Sequence, residues 1–403
     1  MIIVKIIFWT CVFVIFWANI GYPMSIIVLD KILKKKELPK KLDYEPNVTI
    51  MVVAHNEEKV IKEKLENLLK IDYPKEKIEI LISSDNSTDE TNNIVKEFIS
   101  KHKERNIVLY EVKERKGKTN AQNEAAKLVK SEILVMTDAN AMLEQNSVRE
   151  LVSSFYDDTI VYVTGRLCYV NSKDNDTSKS ENTYWSLDTR IRDIESKIQT
   201  ITAGNGALYA CRTKEYYDFE PIKCHDSSMP LHYALKEKRA IANHEAIAYE
   251  KAGENIQDEF KRKVRMNRII LSAILPSIKI LNIFKYKWFT YFYLGHRTCR
   301  YLLWLMHILA YITSAILLKQ NYLYLLAFIL QTLVYLVATI KIKFKLNGKI
   351  LNMVYYYCMT IIAQIIGVKN ILKGKAKPFW EKAESNRLVS HFLLPSTDHF
   401  SRP

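Results

Sequence analysis

Two oxygen-bearing side chains lie two positions apart directly after a short apolar run in the first half of the chain. The run is Ile133 to Met136, and the side chains are those of Asp138 and Asn140. An apolar run of this length between polar residues is typical of a buried strand in a parallel sheet, and such sheets bind ligands beyond the carboxyl ends of their strands. A carboxylate and an amide oxygen there suit a hard divalent cation that also holds substrate phosphates. A strand that simply ends in a turn is the alternative.

Two apolar runs farther upstream also end in acidic residues. Val48 to Ala54 precedes Glu57, and Ile78 to Ile82 precedes Asp85. Helical patterns follow both runs, and 107–112 adds one more strand with a helix after it. Strands that alternate with helices indicate βαβ units and a mostly parallel sheet in an α/β domain. We therefore expect the acidic side chains to converge at one edge of that sheet.

The scarcity of glycine near these strands limits the kind of ligand. Gly117 is the only glycine between Gly21 and Gly165, so neither a G-x-G-x-x-G loop nor a Walker loop can be built there. Phosphate groups at this edge must then be held by cationic side chains and a metal ion. A nicotinamide dehydrogenase and a P-loop kinase are both disfavoured.

The 403 residues divide into one ordinary soluble domain and two apolar flanks. Residues 44–265 have the composition and length of a globular domain with its own core. Residues 1–29 are long and apolar enough to cross a bilayer and lack a cleavage site, which predicts a retained anchor. We expect an interfacial helix over 269–285 and about three membrane segments within 301–368. A basic tail, 369–403, completes the chain.

The net charge of +15 comes with a distribution that favours a membrane over nucleic acid. Lysines cluster after the first apolar segment and between the last two, which are Lys31, Lys34, Lys35, Lys36, Lys40, Lys41, Lys341, Lys343, Lys345 and Lys349. This positive-inside pattern predicts an integral plasma membrane protein with a cytoplasmic globular domain. Three complete C-terminal spans would put the basic tail outside, however. Either 350–368 is re-entrant or one of the spans is assigned wrongly.

A second group of polar motifs follows the predicted sheet. Gly204-Asn205-Gly206 contains two close glycines that let a backbone approach a bulky ligand, with a plain turn as the alternative. Asp226 precedes a helix predicted over 230–236, and a helix cap is the other interpretation of this residue. The segment that contains Arg262 and Arg265 is strongly basic, which is also typical of a membrane surface.

The order and spacing of these motifs resemble those of membrane-bound family 2 glycosyltransferases with a GT-A fold. That group includes the cellulose, chitin and hyaluronan synthases. The matching segments are Ala54-His55-Asn56-Glu57-Glu58, Ser84-Asp85-Asn86-Ser87-Thr88-Asp89, Lys116-Gly117-Lys118, Asp138-Ala139-Asn140, Gly204-Asn205-Gly206-Ala207 and Asp226.

The resemblance implies a binding site for a nucleotide sugar, expected to be UDP-linked. Its nucleotide pocket would include Ala54, Glu57, Asp85 and Lys118. Asp138 would bind Mg²⁺ or Mn²⁺ bridging the donor diphosphate.

Asn140 stands where the family often has a second aspartate, so the ion would be held with one charge fewer. His244 is a further candidate ligand, although a hydrogen-bonded structural histidine is the alternative.

The same resemblance assigns the general base and the acceptor site. Asp226 aligns with the family's base, and Gly204, Asn205 and Gly206 would contact the acceptor. The base normally follows an acidic neighbour, but here the neighbour is His225, which would favour the carboxylate form of Asp226 if it were protonated.

Polymer-forming members carry a Gln-x-x-Arg-Trp motif, and the equivalent segment here departs from it. Arg265 is retained and would clamp the donor diphosphate together with Arg262, but Met266 replaces the tryptophan that stacks on the acceptor sugar.

The expected activity is metal-dependent, inverting transfer of a sugar to a membrane-associated, lipid-linked or polysaccharide acceptor. A processive synthase that extrudes its polymer is the first alternative. A nucleotidyltransferase would need a basic glycine-rich loop after the first strand, which is missing. A membrane transporter with a nucleotide-sensing domain would need charges within its apolar segments, which are almost absent.

Overall fold

The computed structural model describes residues 1–33, 37–170, 176–251, 256–344, 346 and 348–379. Several cations on which the charge argument depends lie outside these residues, namely Lys34, Lys35, Lys36, Lys345 and those of the tail beyond residue 379.

Within the described residues one sheet of eight strands forms the centre of the domain, in the order β3-β2-β1-β4-β7-β6-β8-β5. The strands are β1 Val48–Ala54, β2 Ile78–Ser84, β3 Ile107–Glu111, β4 Ile133–Asp138, β5 Met142–Leu143, β6 Ile160–Tyr169, β7 Leu208–Arg212 and β8 Arg239–Glu250. The first four strands in the chain are parallel to one another, and β7 joins them antiparallel. The predicted α/β architecture with a mostly parallel sheet is therefore confirmed.

The register of the parallel strands brings their carboxyl ends to one edge. Ala54 pairs with Ser84, and Val53 pairs with Asp138, which is the last residue of β4. Asn56 and Asn86 follow β1 and β2 with φ of 54° each, a left-handed conformation that asparagine tolerates better than most residues. The chain turns sharply at these points, so the polar residues after the strands stay at the edge of the sheet.

Both faces of the sheet are covered. Val48, Ile50 and Val52 of β1 point into one buried cluster, whereas Met51 belongs to a second cluster on the opposite face. The alternation follows from the two-residue period of a strand, and burial on both faces explains why β1 is apolar at nearly every position.

Helices pack on the sheet and then extend away from it. They are α1 Ile2–Phe16, α2 Tyr22–Ile32, α3 Ile61–Leu69, α4 Thr91–Lys101, α5 Lys118–Ala126, α6 Ser147–Ser153, α7 Asp176–Ile198, α8 His225–Leu235, α9 Ile256–Met266, α10 Ile270–Ile274, α11 Ile283–Tyr286, α12 Trp288–Phe292, α13 Cys299–Leu317, α14 Tyr322–Phe344 and α15 Lys349–Leu372. π-helical turns join α1 to α2 at Trp17–Gly21 and α12 to α13 at Tyr293–Thr298.

Four helical stretches of the described chain are long and apolar enough to cross a membrane: Ile2–Ile32, Trp288–Leu317, Tyr322–Lys341 and Ile350–Leu372. The segment expected as a single interfacial helix over 269–285 differs from that expectation. It contains short helices, α10 and α11 among them, with a break between α10 and Ser277. Pro276 lies in this break, and proline cannot donate a helical hydrogen bond and disfavours a helical conformation in the residue before it.

The last apolar helix, α15, returns toward the side of the domain that carries the carboxyl edge of the sheet. Gln364 of α15 donates to the carbonyl of Arg300 at 2.9 Å. One turn later, a Cβ added to Gly367 would lie 2.6 Å from Cβ of Asn267. The segment after α15 continues to the domain itself, where the Phe379 ring centroid lies 4.9 Å from the Arg115 guanidinium.

Candidate active site

A cavity of about 1530 Å³ opens at the carboxyl edge of the sheet and continues between the apolar helices. Asp85, Asp138 and Asp226 line one end, and Leu303 and Ile361 line the other. Its volume exceeds the roughly 300–1,000 Å³ of a usual small-molecule pocket. The space is therefore sufficient for more than one substrate at a time.

Three functional side chains converge on Gly206. A Cβ added to this glycine would lie 3.4 Å from Lys118 Nζ and 3.7 Å from both Asp138 Oδ2 and Asp226 Oδ2. Lys118 begins α5, Asp138 ends β4 and Asp226 lies in the first turn of α8. Residues far apart in the sequence thus surround one small volume, and the absence of a side chain at Gly206 keeps that volume open.

Lys118 and Asp138 form an ion pair within this group. Burial alone would lower the pKa of Lys118, but the carboxylates of Asp138 and Asp226 more than offset it, so the pKa of the ammonium is raised. The same nitrogen lies 3.4 Å from the carbonyl oxygen of Gly206. A permanent cation therefore lies between the two acids.

Asp226 is placed by its own backbone. Its carbonyl accepts from the N–H of Gly204 at 2.8 Å and from the hydroxyl of Tyr162 at 3.3 Å. A Cβ on Gly204 would collide with that hydroxyl, so only glycine fits this approach. The N-cap of α8 is Cys224, so Asp226 is not the N-cap residue that the alternative interpretation required.

The pKa of the Asp226 carboxyl is raised, chiefly by burial and further by the nearby Asp138. Lys118 and Arg268 act in the opposite direction because positive charge favours the carboxylate. The result is a carboxylate that is a stronger proton acceptor than a solvated one and that remains exposed to the cavity.

His225 does not supply the charge that the sequence interpretation allowed for. Its ring is buried, and Nε2 lies 2.9 Å from the hydroxyl of Tyr216. Burial lowers the pKa of His225 to about 3. The ring is therefore neutral at physiological pH, so the condition under which His225 would stabilise the Asp226 carboxylate is not met.

Asp85 fixes the loop that precedes α5. Its two carboxylate oxygens accept from the backbone N–H groups of Lys116 at 3.2 Å and Gly117 at 3.0 Å. Gly117 has a φ of 94°, which favours glycine, and a Cβ there would lie 2.7 Å from the carbonyl oxygen of Pro378. A carboxylate has further lone pairs, so Asp85 can still accept from a ligand in the cavity that it lines.

The other residues expected at the nucleotide have different positions. Glu57 is buried and lines the cavity. Ala54 is not among the lining residues of the described chain, but its carbonyl accepts from the N–H of Asp85 at 2.8 Å. His55, which the sequence interpretation did not single out, lines the cavity and places Nδ1 2.8 Å from the carbonyl oxygen of Asp85.

Asp138 and Asn140, the two residues predicted to bind a metal ion, both line the cavity. His244 does not join them. It lies on β8 with Nε2 3.6 Å from Asp193 Oδ1, and burial lowers its pKa to about 4. No cluster of three His, Cys, Asp or Glu side chains suited to a metal occurs among the described residues. Any ion held here would therefore take most of its ligands from substrate and water.

The Gly204-Asn205-Gly206 turn is held by the Asn205 side chain. Its amide oxygen accepts from the N–H groups of Ala207 at 3.1 Å and Leu208 at 3.2 Å, and its nitrogen donates to the carbonyl of Gly165 at 2.5 Å. The amide oxygen and one N–H of the amide nitrogen are thus engaged with backbone. Any contact of this turn with an acceptor would come from its backbone and from the two glycines.

The basic segment lies along the cavity wall. Arg262 binds Glu259 with two nitrogens, at 2.7 and 3.0 Å. Burial, together with the guanidinium groups of Arg262 and Arg268, lowers the pKa of Arg265 to about 10. Arg268 donates to the carbonyl of Ile222 at 2.6 Å and contacts the sulfur of Cys224 at 2.9 Å. Clustered guanidinium groups of this kind are suited to bind an anion.

A buried lysine supports the end of β4 from behind. Lys64 of α3 is fully buried, and its ammonium donates to the hydroxyl of Thr137 at 3.0 Å and to the carbonyl of Ala141. Burial lowers the pKa of Lys64 to about 7. No signal in the sequence marked Lys64, because a lysine in an amphipathic helix is ordinarily solvated.

A second buried group of charges joins the domain to the apolar helices. His296, in the π-helical turn before α13, lies 3.0 Å from Asp188 and 2.8 Å from Glu195 on α7. Tyr22 of α2 donates to Glu195 at 2.7 Å, and Arg300 lies 3.1 Å from Asp188. The wall of the cavity is therefore continuous from the sheet to the helices.

The domain is similar in sequence to known proteins. Residues 49–224 match the family described as glycosyl transferase family 2. The beta-monoglucosyldiacylglycerol synthase of Nostoc sp. is 30% identical over 163 residues, which cover 40% of this chain and 35% of that protein. The poly-beta-1,6-N-acetyl-D-glucosamine synthase of Staphylococcus aureus is 31% identical over 126 residues, 31% of this chain and 29% of that protein. The chain spans about a third of the length of these curated relatives.

A solved structure extends the likeness beyond the matched domain. The mannosyltransferase PcManGT from Pyrobaculum calidifontis, in complex with GDP-Man and Mn²⁺, aligns with a TM-score of 0.68 at 22% identity. The alignment covers 92% of this chain and 99% of the other. Residues 49–224 are therefore similar to glycosyl transferase family 2, and the chain shares the α/β fold of that solved structure, in agreement with the expected GT-A architecture.

Proposed function

We propose that the protein transfers a sugar from a nucleoside diphosphate donor to an acceptor hydroxyl by direct displacement, with inversion at the anomeric carbon. The observation that carries this proposal is the convergence of Lys118, Asp138 and Asp226 around Gly206. A base, a permanent cation and a carboxylate at the end of a parallel strand face the same cavity, and each has a separate part in such a reaction.

Asp226 is the proposed general base. It accepts the proton of the acceptor hydroxyl while that oxygen forms a bond to the anomeric carbon, and the bond from this carbon to the diphosphate oxygen breaks. The nucleoside diphosphate leaves with the bonding electrons. The raised pKa of Asp226 supports this role because a more basic carboxylate accepts a proton more readily.

Cationic side chains are proposed to hold the donor diphosphate. Lys118 lies beside both acids, and Arg265 lines the same cavity, where burial and then the charges of Arg262 and Arg268 lower its pKa, an effect that a bound anion would oppose. Asp85 and Glu57 would contact the nucleoside from the ends of β2 and β1. The donor base is expected to be uracil, as the family resemblance implies.

The residues present fit a divalent cation. Asp138 and Asn140 supply one carboxylate and one amide oxygen, and Mg²⁺ and Mn²⁺ are commonly held by one or two such groups plus substrate phosphates. The pairing of Asp138 with an ammonium group is consistent with a carboxylate placed to receive positive charge. When bound, Mg²⁺ or Mn²⁺ would offset the negative charge that develops on the departing diphosphate.

The contact between the C-terminal segment and the domain supports a particular membrane arrangement. Residues 377–379 lie at the nucleotide end of the cavity, so they share the side of the membrane on which the domain lies. An even number of crossings must then separate them from the domain. We assign these to α13 and α14, with α15 remaining on the domain side. With α1 crossing once, the domain and most lysines of the flanks are cytoplasmic.

The test compares the kinetics of a variant of the proposed base, Asp226, with those of a variant of Asp85, the carboxylate proposed to contact the nucleoside. Asp226→Asn should lower acceptor-dependent release of nucleoside diphosphate roughly 10²–10⁴-fold and leave the KM for the donor nearly unchanged. Asp85→Ala should instead raise the donor KM. Asp218→Asn alters an exposed aspartate outside the cavity and should behave like wild type.

The assay uses full-length protein in detergent with UDP- and GDP-sugars and with Mg²⁺ or Mn²⁺. Turnover of Asp226→Asn at the wild-type rate would refute the assignment of the base. Release from no donor under any condition would refute the proposed activity.

A further inference from the structure

The cavity does not end at the catalytic edge of the sheet. From Gly206 it continues past α9 and the π-helical turn before α13 to Ala18, Leu303 and Ile361. These three residues form one buried apolar cluster where the π-helical turn after α1 meets α13 and α15. The polar reaction site is therefore joined to an apolar space at the membrane helices.

This space stops well short of the far side of the membrane. Leu303 is the last residue of α13 that lines the cavity among the described residues, and none of α14 does. α13 continues to Leu317, about 21 Å farther at 1.5 Å per residue. Over that distance the helices are packed together, with Cys11 against Met306 and Phe8 against Leu317. The cavity is thus a blind pocket at the depth of one leaflet.

One side of the pocket is a stripe along α15. The lining side chains recur every three or four residues, at Met353, Tyr356, Thr360 and Gln364, which is the period of one helix face. Met353 lines the cavity, and 65% of its surface is accessible in the described part of the chain. The pocket therefore opens sideways at Met353, toward the position of surrounding lipid.

The path from this opening to the base changes from apolar to charged. Near α15, the Lys263 ammonium lies 4.4 Å from the centroid of the Tyr356 ring. Arg297 and Arg300 also line the cavity, and Arg268 lies near Asp226 at the catalytic end. Such a gradient suits an amphiphile that keeps its tail at the opening and extends its polar end to Asp226.

We propose that the acceptor is a membrane lipid that enters sideways past Met353 and presents a nucleophilic headgroup oxygen to Asp226 while its tail remains in the cytoplasmic leaflet. This inference rests on the proposed function and specifies its acceptor. An extruded polysaccharide would need an exit across the membrane, and the packed outer parts of α1 and α13 leave none among the described residues. One transfer per lipid is therefore expected.

The test places a bulky side chain at the opening. Met353→Trp should raise the KM for the lipid at least tenfold in full-length protein reconstituted with mixed micelles. Ile350→Trp is the matched control, since Ile350 is 73% exposed on the same helix but does not line the cavity, and it should keep the wild-type KM. Three kinds of micelle are tested, which contain diacylglycerol, phosphatidylglycerol or polyprenyl phosphate. Comparison of the three distinguishes acceptors with a neutral hydroxyl headgroup from acceptors that carry a phosphate.

The readouts are nucleoside diphosphate release and the mass of the lipid product. A lipid carrying a single added sugar, formed in at least one of the three micelles, supports the inference. A long product, transfer only to a soluble saccharide, or an equal effect of the two tryptophan variants overturns it and leaves the proposed function standing. Absence of nucleoside diphosphate release with every donor and acceptor overturns both.

Discussion

The ammonium of Lys118 forms an ion pair with the carboxylate of Asp138, the same group that is proposed to bind a divalent cation. Both side chains are largely shielded, with 24% and 31% of their surfaces exposed. The lysine and a metal ion would therefore compete for one carboxylate until a donor diphosphate arrives. Once its phosphates are present, both cations have anionic oxygens to contact, and the competition ends.

Removal of the lysine should reveal this competition. We expect Lys118→Met to bind Mn²⁺ roughly two- to fivefold more tightly than wild type without nucleotide, the range set by a partly exposed ion pair, and to turn over more slowly with donor. Titration of Mn²⁺ followed by electron paramagnetic resonance measures the affinity. Lys116→Met, which removes an exposed lysine paired with Glu114, is the control. Weaker binding of Mn²⁺ by Lys118→Met would contradict the competition.

We expect Arg268 to lower the pH at which the carboxyl group of Asp226 loses its proton and can act as a base. Its guanidinium lowers the pKa of Asp226, so Arg268→Gln should raise that pKa further. The base works as the carboxylate, and activity falls as the pH drops through its pKa. The acid limb of the kcat profile should therefore move to higher pH in the variant. Lys223→Gln, which alters a surface ion pair with Glu220, should leave the limb in place. A shift to lower pH would be the opposite of the expected sign.

The two glycines of the acceptor turn should respond differently to alanine. Gly204→Ala forces its methyl group against the Tyr162 hydroxyl, so stability should fall by about 1–3 kcal/mol. Gly206→Ala places the methyl at ordinary contact distances, so the fold should be kept, but turnover should fall because the group occupies the space between the acids. Thermal unfolding and turnover separate the two effects. Tyr162→Phe should partly rescue Gly204→Ala but not Gly206→Ala, and rescue of both would contradict this explanation.

Lys64 should make stability depend on pH in the alkaline range. Its pKa is about 7 in the folded protein and about 10.4 in an unfolded chain. Between these two pH values the unfolded state binds more protons than the folded state. Burial of Lys64 therefore lowers the free energy of unfolding by the largest amount below pH 7, and this loss becomes smaller as the pH rises toward 10. The gain in Tm from pH 7 to 9 should shrink in Lys64→Met. An equal gain in both proteins would show that the lysine is not the cause.

The sheet and its acids could be predicted because their signals are local. β1 and β4 are short apolar runs, and the residues that follow them must lie at the carboxyl edge once the strands are parallel. Asp138 and Asp226 were both identified and share the cavity. Their mutual placement follows from β7 and α8, whose positions in the sheet depend on contacts across the whole domain.

Other features depend on contacts that no local pattern records. His225 was considered as a charge, but its burial against Tyr216 makes it neutral. α15 has the length and composition of a membrane span, and only its contacts with Arg300 and Asn267 show that it returns toward the domain. Hydropathy measures how apolar a segment is, whereas its path depends on what it packs against.

The buried charges between α7 and the turn before α13 have a practical consequence for anyone who wishes to express the domain alone. A fragment that ended near residue 265 would lose His296 and Arg300, leaving Asp188 and Glu195 without these partners. Ile191 and Ile194 of α7, now packed against residues of α2 and α12, would face water. Such a fragment should aggregate, so crystallography or cryo-electron microscopy of this protein calls for the intact chain in detergent or a lipid nanodisc.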